Sequence, residues 1–132
     1  MTTVRDTLRS DTAINQLLKN KPADFMVISG DDPITLQMIA QGAEGVISVV
    51  ANAYPFEFSE MVRLCLRGDF EKALPLHYQY TDIIASMFAE GSPSGVKAYL
   101  SEMGFCKNTF RLPVWKVSEK HQQKIKELMK MG

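Results

Sequence analysis

The stretch DFMVISGDDP, residues 24–33, decides the fold. Residues 25–29 form a nearly continuous apolar run that does not alternate with polar residues. This pattern is typical of a parallel strand that is covered on both faces. The turn signals that follow are Gly30, which permits a tight turn, Asp32 as a helix N-cap and Pro33 at the first helical position. We therefore expect a buried strand that leads directly into a helix.

A second strand is expected after this helix, which should end near Gly42. Residues 45–50, GVISVV, are rich in β-branched side chains, which favour strands. Residues 25–50 thus predict a right-handed βαβ unit. Neither strand is followed by Gly-x-Gly-x-x-Gly, so a dinucleotide site has no local support.

The remaining elements are predicted to be helical. Residues 11–19 should form a short helix before the first strand, because Ile14, Leu17 and Leu18 share one face. Four more helices are expected after residue 52, beginning near Pro55, Asp69, Pro93 and Ser118.

Two parallel strands leave both sheet edges open and bury too little area to be stable alone. The missing strands must then come from a second copy of the chain, from a different chain, or from a parent protein. We therefore expect self-association, as a homo-oligomer, or assembly with a complementing chain.

Charge and hydropathy exclude several kinds of partner. The 15 basic and 15 acidic residues cancel, so no net field attracts nucleic acid or an anionic membrane. No apolar run approaches the ~20 residues that span a bilayer. The polar start, residues 1–11, contains no secretory signal, which predicts a cytoplasmic protein. Cys65 and Cys106 provide no disulfide framework.

Four strings resemble the dihydrodipicolinate synthase family of class I aldolases, which includes the N-acetylneuraminate lyases. DFMVISGDD at 24–32 resembles the seventh-strand motif, and GAEGVISV at 42–49 resembles the eighth strand. GVKA at 95–98 and RLP at 111–113 resemble the helical extension that follows. The matches keep their order and spacing over about residues 14–131.

The resemblance implies an α/β fold, namely the C-terminal part of a (β/α)₈ TIM barrel followed by a helical extension. Residues 1–68 would form the partial barrel segment and residues 69–132 the extension. Family members usually assemble as dimers or tetramers, and we expect neither a cofactor nor a metal ion.

The resemblance also assigns the catalytic position. In the family, the sixth strand carries the lysine that forms a Schiff base with pyruvate, within a Lys-Glu-Ala-Ser/Thr-Gly-Asn string. Counting back from Phe25 without gaps aligns Arg5 with this lysine, and the residues after Arg5 do not match the string. A guanidinium stays protonated and cannot form the imine, so we predict that the chain has no catalytic residue of its own.

Two family positions for binding pyruvate are retained. Gly30 and Ile47 match residues that line the pyruvate pocket at the carboxyl ends of the strands, where barrel active sites lie. They would shape the pocket for a pyruvate-like carboxylate without carrying chemistry. Ser92 stands where the family often has asparagine before proline, which puts a binding role there in doubt.

Other polar and aromatic residues allow a functional and a structural interpretation. Asp31 and Asp32 could bind a metal, but a helix cap is the simpler explanation. His77 and His121 could act as acid–base groups, although both lie on or near apolar helical faces. Lys97 could replace the nucleophile, but it lies in the extension.

The aromatic residues also allow two interpretations. Trp115 could form an oligomer contact together with Tyr78, Tyr80 and Tyr99, or all four side chains could pack internally.

Two functional hypotheses remain. In the first, the chain is a truncated or divergent portion of a lyase whose family condenses pyruvate with aspartate semialdehyde in lysine biosynthesis. Alone it would be inactive, because it lacks the nucleophile. In the second, it is a non-catalytic, self-associating half-barrel-like protein with a structural or carboxylate-binding role.

Overall fold

A computed structural model describes residues 2–6 and 11–130 of the chain. Its strands are β1 (Thr2–Asp6) and β2 (Phe25–Ser29). Its α-helices are α1 (Asp11–Asn20), α2 (Thr35–Ala40), α3 (Pro55–Leu66), α4 (Phe70–Ala89), α5 (Ser94–Glu102) and α6 (Glu119–Leu128). Short 3₁₀ helices lie at Asp32–Ile34 and Val50–Asn52.

The sheet is parallel and has β2 at its centre. β1 pairs with β2 in a register that runs from Thr2 opposite Phe25 to Asp6 opposite Ser29. On the other side of β2, residues 44–47 add a short extended segment. The Ser29 N–H donates to the Gly45 carbonyl over 2.8 Å, and the Ile47 N–H donates to the Ser29 carbonyl over 3.0 Å.

The expected second strand at residues 45–50 is wrong in extent, because only Val46 forms a bridge, to Ser29. The backbone is already helical at Val49, with φ −80° and ψ −42°, and the Ser48 Oγ accepts a hydrogen bond from the Ala51 N–H over 2.9 Å. Val50 already begins a 3₁₀ helix. The second true strand is β1, which contains the position that the resemblance aligned with the family's sixth strand.

One face of β2 is fully covered. Val27 and Ser29 have no exposed surface, whereas Ile28 between them is only half-buried. α2 packs on β2 and on α3, α3 packs on α4, and α4 contacts both α5 and α6. We expected both faces of this strand to be covered. Within the described residues, this is confirmed for one face of β2.

A single hydrophobic cluster extends from Ile14 to Ile125 and includes residues on both sides of residue 68. Each of its largest buried side chains contributes about 1.5–3 kcal/mol: Tyr99, Met38, Ile84, Met87, Ile125, Val27 and Val50. The division at residue 68 stays a prediction, because the two segments share this core.

Helix ends follow the sequence signals closely. Asp69 caps α4 by accepting a hydrogen bond from the Lys72 N–H over 3.3 Å. Gly68, at φ +79°, ends α3 in a conformation that side chains rarely adopt. Within the described residues, no helix has the length and hydropathy that a bilayer crossing requires.

Candidate functional site: the carboxyl edge of the sheet

Three positions that the sequence singles out meet at one edge of the sheet. Arg5 is the penultimate residue of β1 and pairs with Ile28, Gly30 follows β2 directly, and Ile47 follows the bridge at Val46. Because all three segments are parallel, these positions share the carboxyl edge. Ile47 is 55% exposed there, and Gly30 is partly exposed.

A buried network of hydroxyl groups fixes the turn after β2. Ser29 Oγ accepts from the Asp31 N–H at 3.3 Å, and it lies 3.1 Å from the Asp31 carbonyl. Thr35 Oγ1 lies 3.1 Å from both Ser29 Oγ and the Asp31 carbonyl. Both side chains are fully buried. The network therefore holds the backbone around Gly30 in one conformation.

The Asp32 carboxylate joins the two loops of this edge. Its Oδ2 accepts hydrogen bonds from the Val49 N–H at 2.9 Å and the Val50 N–H at 3.2 Å. Asp32 is 2% exposed, and its Oδ1 has no hydrogen-bond partner among the described residues. The loop that carries Ile47 is thus tied to the turn that carries Gly30.

The sequence-based interpretation of Asp32 as the cap of the helix that follows it is wrong. Neither Asp31, at the N-cap of the first 3₁₀ helix, nor Ile34, at the N-cap of α2, makes a side-chain cap hydrogen bond. Asp32 instead caps the 3₁₀ helix at Val50–Asn52, which begins 18 residues later. The cap is real, but it belongs to a different helix because the parallel segments bring the two loops together.

Ile28 and Gly45 are neighbours on one face of the sheet. A Cβ atom at Gly45 would lie 3.6 Å from Ile28 Cγ2, an ordinary van der Waals distance. Within the described part of the chain, no group of three or more His, Cys, Asp or Glu residues could hold a metal ion. This edge can thus shape and line a pocket through main-chain groups and an apolar wall.

The two histidines and Lys97 lie in the helical extension. His121 is buried, with Nε2 2.8 Å from the Ser86 carbonyl, and it joins α6 to α4. Burial lowers the pKa of His77. The Lys97 Nζ donates to the Thr109 carbonyl and lies 4.6 Å from the centre of the Phe110 ring. His121 and Lys97 thus make structural contacts away from the sheet, whereas His77 lines a small cavity with Pro33 in the turn after β2.

The aromatic residues divide between core and surface. Tyr80 and Tyr99 are buried and pack around Tyr54, with ring centres 5.1 and 6.2 Å from its ring. Tyr78 and Trp115 are 68% and 66% exposed. The suggestion of an oligomer contact is therefore wrong for Tyr80 and Tyr99, which belong to the core.

Sequence reasoning missed the hydroxyl network and the true partner of Asp32. A signal for the network was present, since Ser29 ends an otherwise apolar run and Thr35 lies six residues later. A hydroxyl in a buried strand requires a polar partner. No comparable signal linked Asp32 to Val49, because that contact depends on how the strands assemble.

Comparison with known proteins agrees with this geometry. The sequence profile of the Dihydrodipicolinate synthetase family matches residues 1–131. A 4-hydroxy-tetrahydrodipicolinate synthase of Phocaeicola vulgatus is 52% identical over 103 residues, which are 78% of this chain and 35% of that protein. The crystal structure of dihydrodipicolinate synthase from Aquifex aeolicus superposes with a TM-score of 0.94 at 36% identity, covering 98% of this chain and 44% of the other.

A third relative carries a ligand in its structure. The chloride-inhibited dihydrodipicolinate synthase from Acinetobacter baumannii, complexed with pyruvate, gives a TM-score of 0.93 at 27% identity, covering 99% of this chain and 45% of that chain. The chain thus spans less than half the length of the relatives it matches. The strand order, the carboxyl edge and the profile match together show that this chain belongs to the dihydrodipicolinate synthetase family, as a partial (β/α) barrel with its helical extension.

Proposed function

We propose that this chain is the carboxyl-terminal portion of a pyruvate-dependent lyase and contributes one side of its pyruvate pocket. The whole reaction would be the condensation of pyruvate with aspartate semialdehyde in lysine biosynthesis, in the cytoplasm. The observation that carries the proposal is the meeting of Arg5, Gly30 and Ile47 at one carboxyl edge. Barrel enzymes hold their active sites at this edge.

Each retained residue has a physical role in such a pocket. Gly30 has no side chain, so a carboxylate can approach the backbone there. Ile47, 55% exposed, provides an apolar wall that excludes water from the keto carbon. Asp32 and the Ser29–Thr35 network hold both positions without contacting the substrate. Gly30 and Ile47 would thus bind and orient the substrate, but they would carry no proton to or from it.

The covalent step needs an amine that this chain does not supply at the matching position. A lysine Nζ would attack the keto carbon of pyruvate and release water to give the imine. Arg5 cannot do so, because its guanidinium stays protonated. The proposal therefore includes inactivity of the chain alone, and activity only when a complementing chain supplies a lysine and the missing strands.

The test is borohydride reduction in the presence of pyruvate, followed by intact-protein mass spectrometry. The chain alone should gain no mass, whereas the Phocaeicola vulgatus relative, as the positive control, should gain one reduced pyruvate. An adduct on the chain alone would contradict the proposal. Peptide mapping would then identify the lysine, beginning with Lys97.

The second candidate is a self-associating protein without catalysis. It is favoured by large apolar side chains that are exposed in the chain by itself: Ile47 55%, Phe56 72%, Phe105 76%, Leu112 79% and Trp115 66%. Mass measurement in solution separates the two candidates. A stable homo-oligomer that does not bind a complementing chain would favour the second, and co-purification of such a chain would favour the first.

A further inference from the structure

β1 occupies the place in the sheet where the nucleophile of a complete enzyme is needed. The register pairs Arg5 with Ile28, one residue before the carboxyl end of both strands. Gly30 and Ile47 lie at the same edge. A strand that carried a lysine at the position of Arg5 would bring its amine to this edge. With β1 in place, Arg5 occupies this register position.

β1 is also the most weakly anchored strand of the sheet. Apart from isolated contacts, β2 is the one element that it touches within the described residues. β2, in contrast, is hydrogen-bonded on both sides and packs on α2. No strand among the described residues pairs with the outer edge of β1. Edge strands of this kind are the ones that exchange with strands of other chains.

The part of the fold outside this chain is large. The Aquifex aeolicus structure extends well beyond the 44% that this chain covers. A chain that supplied the rest would bring strands for both sides of the present sheet. Closing a barrel removes every open edge, so such a chain is the occupant that the sheet geometry favours over a small peptide or a lipid surface.

We propose that β1 is a replaceable strand: a complementing (β/α) chain inserts its own lysine-bearing strand beside β2, in parallel, in the place of Thr2–Asp6. This inference rests on the proposed function and names the partner that it requires. The exchange breaks the β1–β2 ladder and forms an equivalent ladder with the incoming strand. Main-chain hydrogen bonds to β2 are therefore conserved, while the register position of Arg5 passes to a lysine.

The experiment uses two segments of the Phocaeicola vulgatus relative, each co-expressed with the full chain. The long segment ends after its lysine-bearing strand, and the short segment ends just before it. Borohydride and pyruvate are added, and the mass of each chain is measured. The expected result is an adduct on the long segment. Deleting residues 2–6 should raise its yield several-fold, and Arg5→Lys should leave it unchanged.

The opposite result is equally specific. Suppose instead that the adduct forms only on the Arg5→Lys chain, and only when this chain is combined with the short segment. This result would mean that β1 remains beside β2. The inference would then be overturned while the proposed function stands. No adduct in any combination, with the intact relative labelled in parallel, would overturn the proposed function together with the inference.

Hydrogen exchange supplies a readout that does not depend on the deletion variant folding. The long segment should make the backbone amides of residues 2–6 exchange faster, because it releases β1 from β2. The short segment should slow their exchange, because it covers the outer edge of β1. Slower exchange with both segments would contradict replacement.

Discussion

The Asp32 carboxylate and the Val49 backbone nitrogen, 17 positions apart in sequence, lie 2.9 Å apart and join the two loops of the carboxyl edge. We expect Asp32→Ala to lower the free energy of unfolding by about 2 kcal/mol, because it leaves two N–H groups without their acceptor. Asp32→Asn keeps a carbonyl oxygen as an acceptor, so its free energy of unfolding should fall by less. Urea unfolding measures both effects.

The matched control is Asp24→Ala, an exposed position in the same stretch of sequence. Its effect should stay within about 0.5 kcal/mol. Equal losses at positions 24 and 32 would contradict the role of Asp32 in joining the loops.

Gly95 is required where α5 crosses α4. A Cβ atom at this position would lie 1.9 Å from the Met87 carbonyl oxygen, so backbone would have to move. Gly95→Ala should lower the free energy of unfolding by about 2–3 kcal/mol or more. Gly45→Ala, whose Cβ would lie 3.6 Å from Ile28 Cγ2, is the control and should cost much less. Thermal unfolding of the two variants compares them directly.

The Tyr99 hydroxyl is buried near Ser86, and its geometry satisfies no full hydrogen bond to any of the described residues. Because a buried, unsatisfied hydroxyl costs free energy, Tyr99→Phe should be neutral or stabilising by up to about 1 kcal/mol. Tyr99→Ala removes the whole ring and should cost about 3–5 kcal/mol. A large loss on Tyr99→Phe, measured by chemical unfolding, would show that the hydroxyl is bonded after all.

Alkaline pH should destabilise the fold through the tyrosine cluster. Burial, followed by the neighbouring Tyr99, raises the pKa of Tyr54 to about 12. The native state then keeps a proton that the unfolded chain has lost, so stability is intact below pH 10 and falls as pH rises from 10 towards 12. Tyr54→Phe should flatten this decline. Unfolding measured at several alkaline pH values, with absorbance of the phenolate, provides the check.

Acid should loosen the contact between α6 and the end of α4. The Glu90 carboxylate accepts hydrogen bonds from the Ser118 N–H and Oγ, each at 2.7 Å, and these bonds lower its pKa. The stability that they add is present above the ordinary value of 4.5 and is lost as pH falls through the lower folded value. After correction for the slower intrinsic exchange in acid, the protection of the α6 amides against hydrogen exchange should therefore fall as the pH is lowered.

Glu90→Gln should remove most of that acid dependence, since the amide does not titrate. Glu71→Gln, at an exposed position on the same helix, is the control and should leave it nearly unchanged. If the loss of protection in acid persists in Glu90→Gln, another group is responsible for it.

Local sequence signals predicted β2, α1 and the four later helices, because their apolar periodicity and capping residues agree with the packing. The same reasoning failed at residues 45–50, where β-branched residues favour a strand but the backbone turns helical at Val49. A carboxylate from a distant loop stabilises that turn, and no local pattern encodes it. β1 has the polar sequence TTVRD and became visible only through alignment with the family.

For the candidate site, the sequence identified Gly30 and Ile47 by resemblance, and the structure brings both to the carboxyl edge. Their contact with pyruvate stays a prediction. Ser29 and Thr35 were overlooked because hydroxyl side chains are common, and only burial reveals that two of them share one network.

The central position of β2 also bears on how this part of the fold forms. Its partners are close along the chain: Thr2 lies 23 residues from Phe25, and Val46 lies 17 residues from Ser29. Pairings of such short sequence separation close small loops and form early, at low entropic cost. Closing a full barrel instead joins its first and last strands, across the whole chain. The pairings around β2 therefore belong to the fast, local steps of assembly, and they do not have to wait for the slow, long-range closure of a complete barrel.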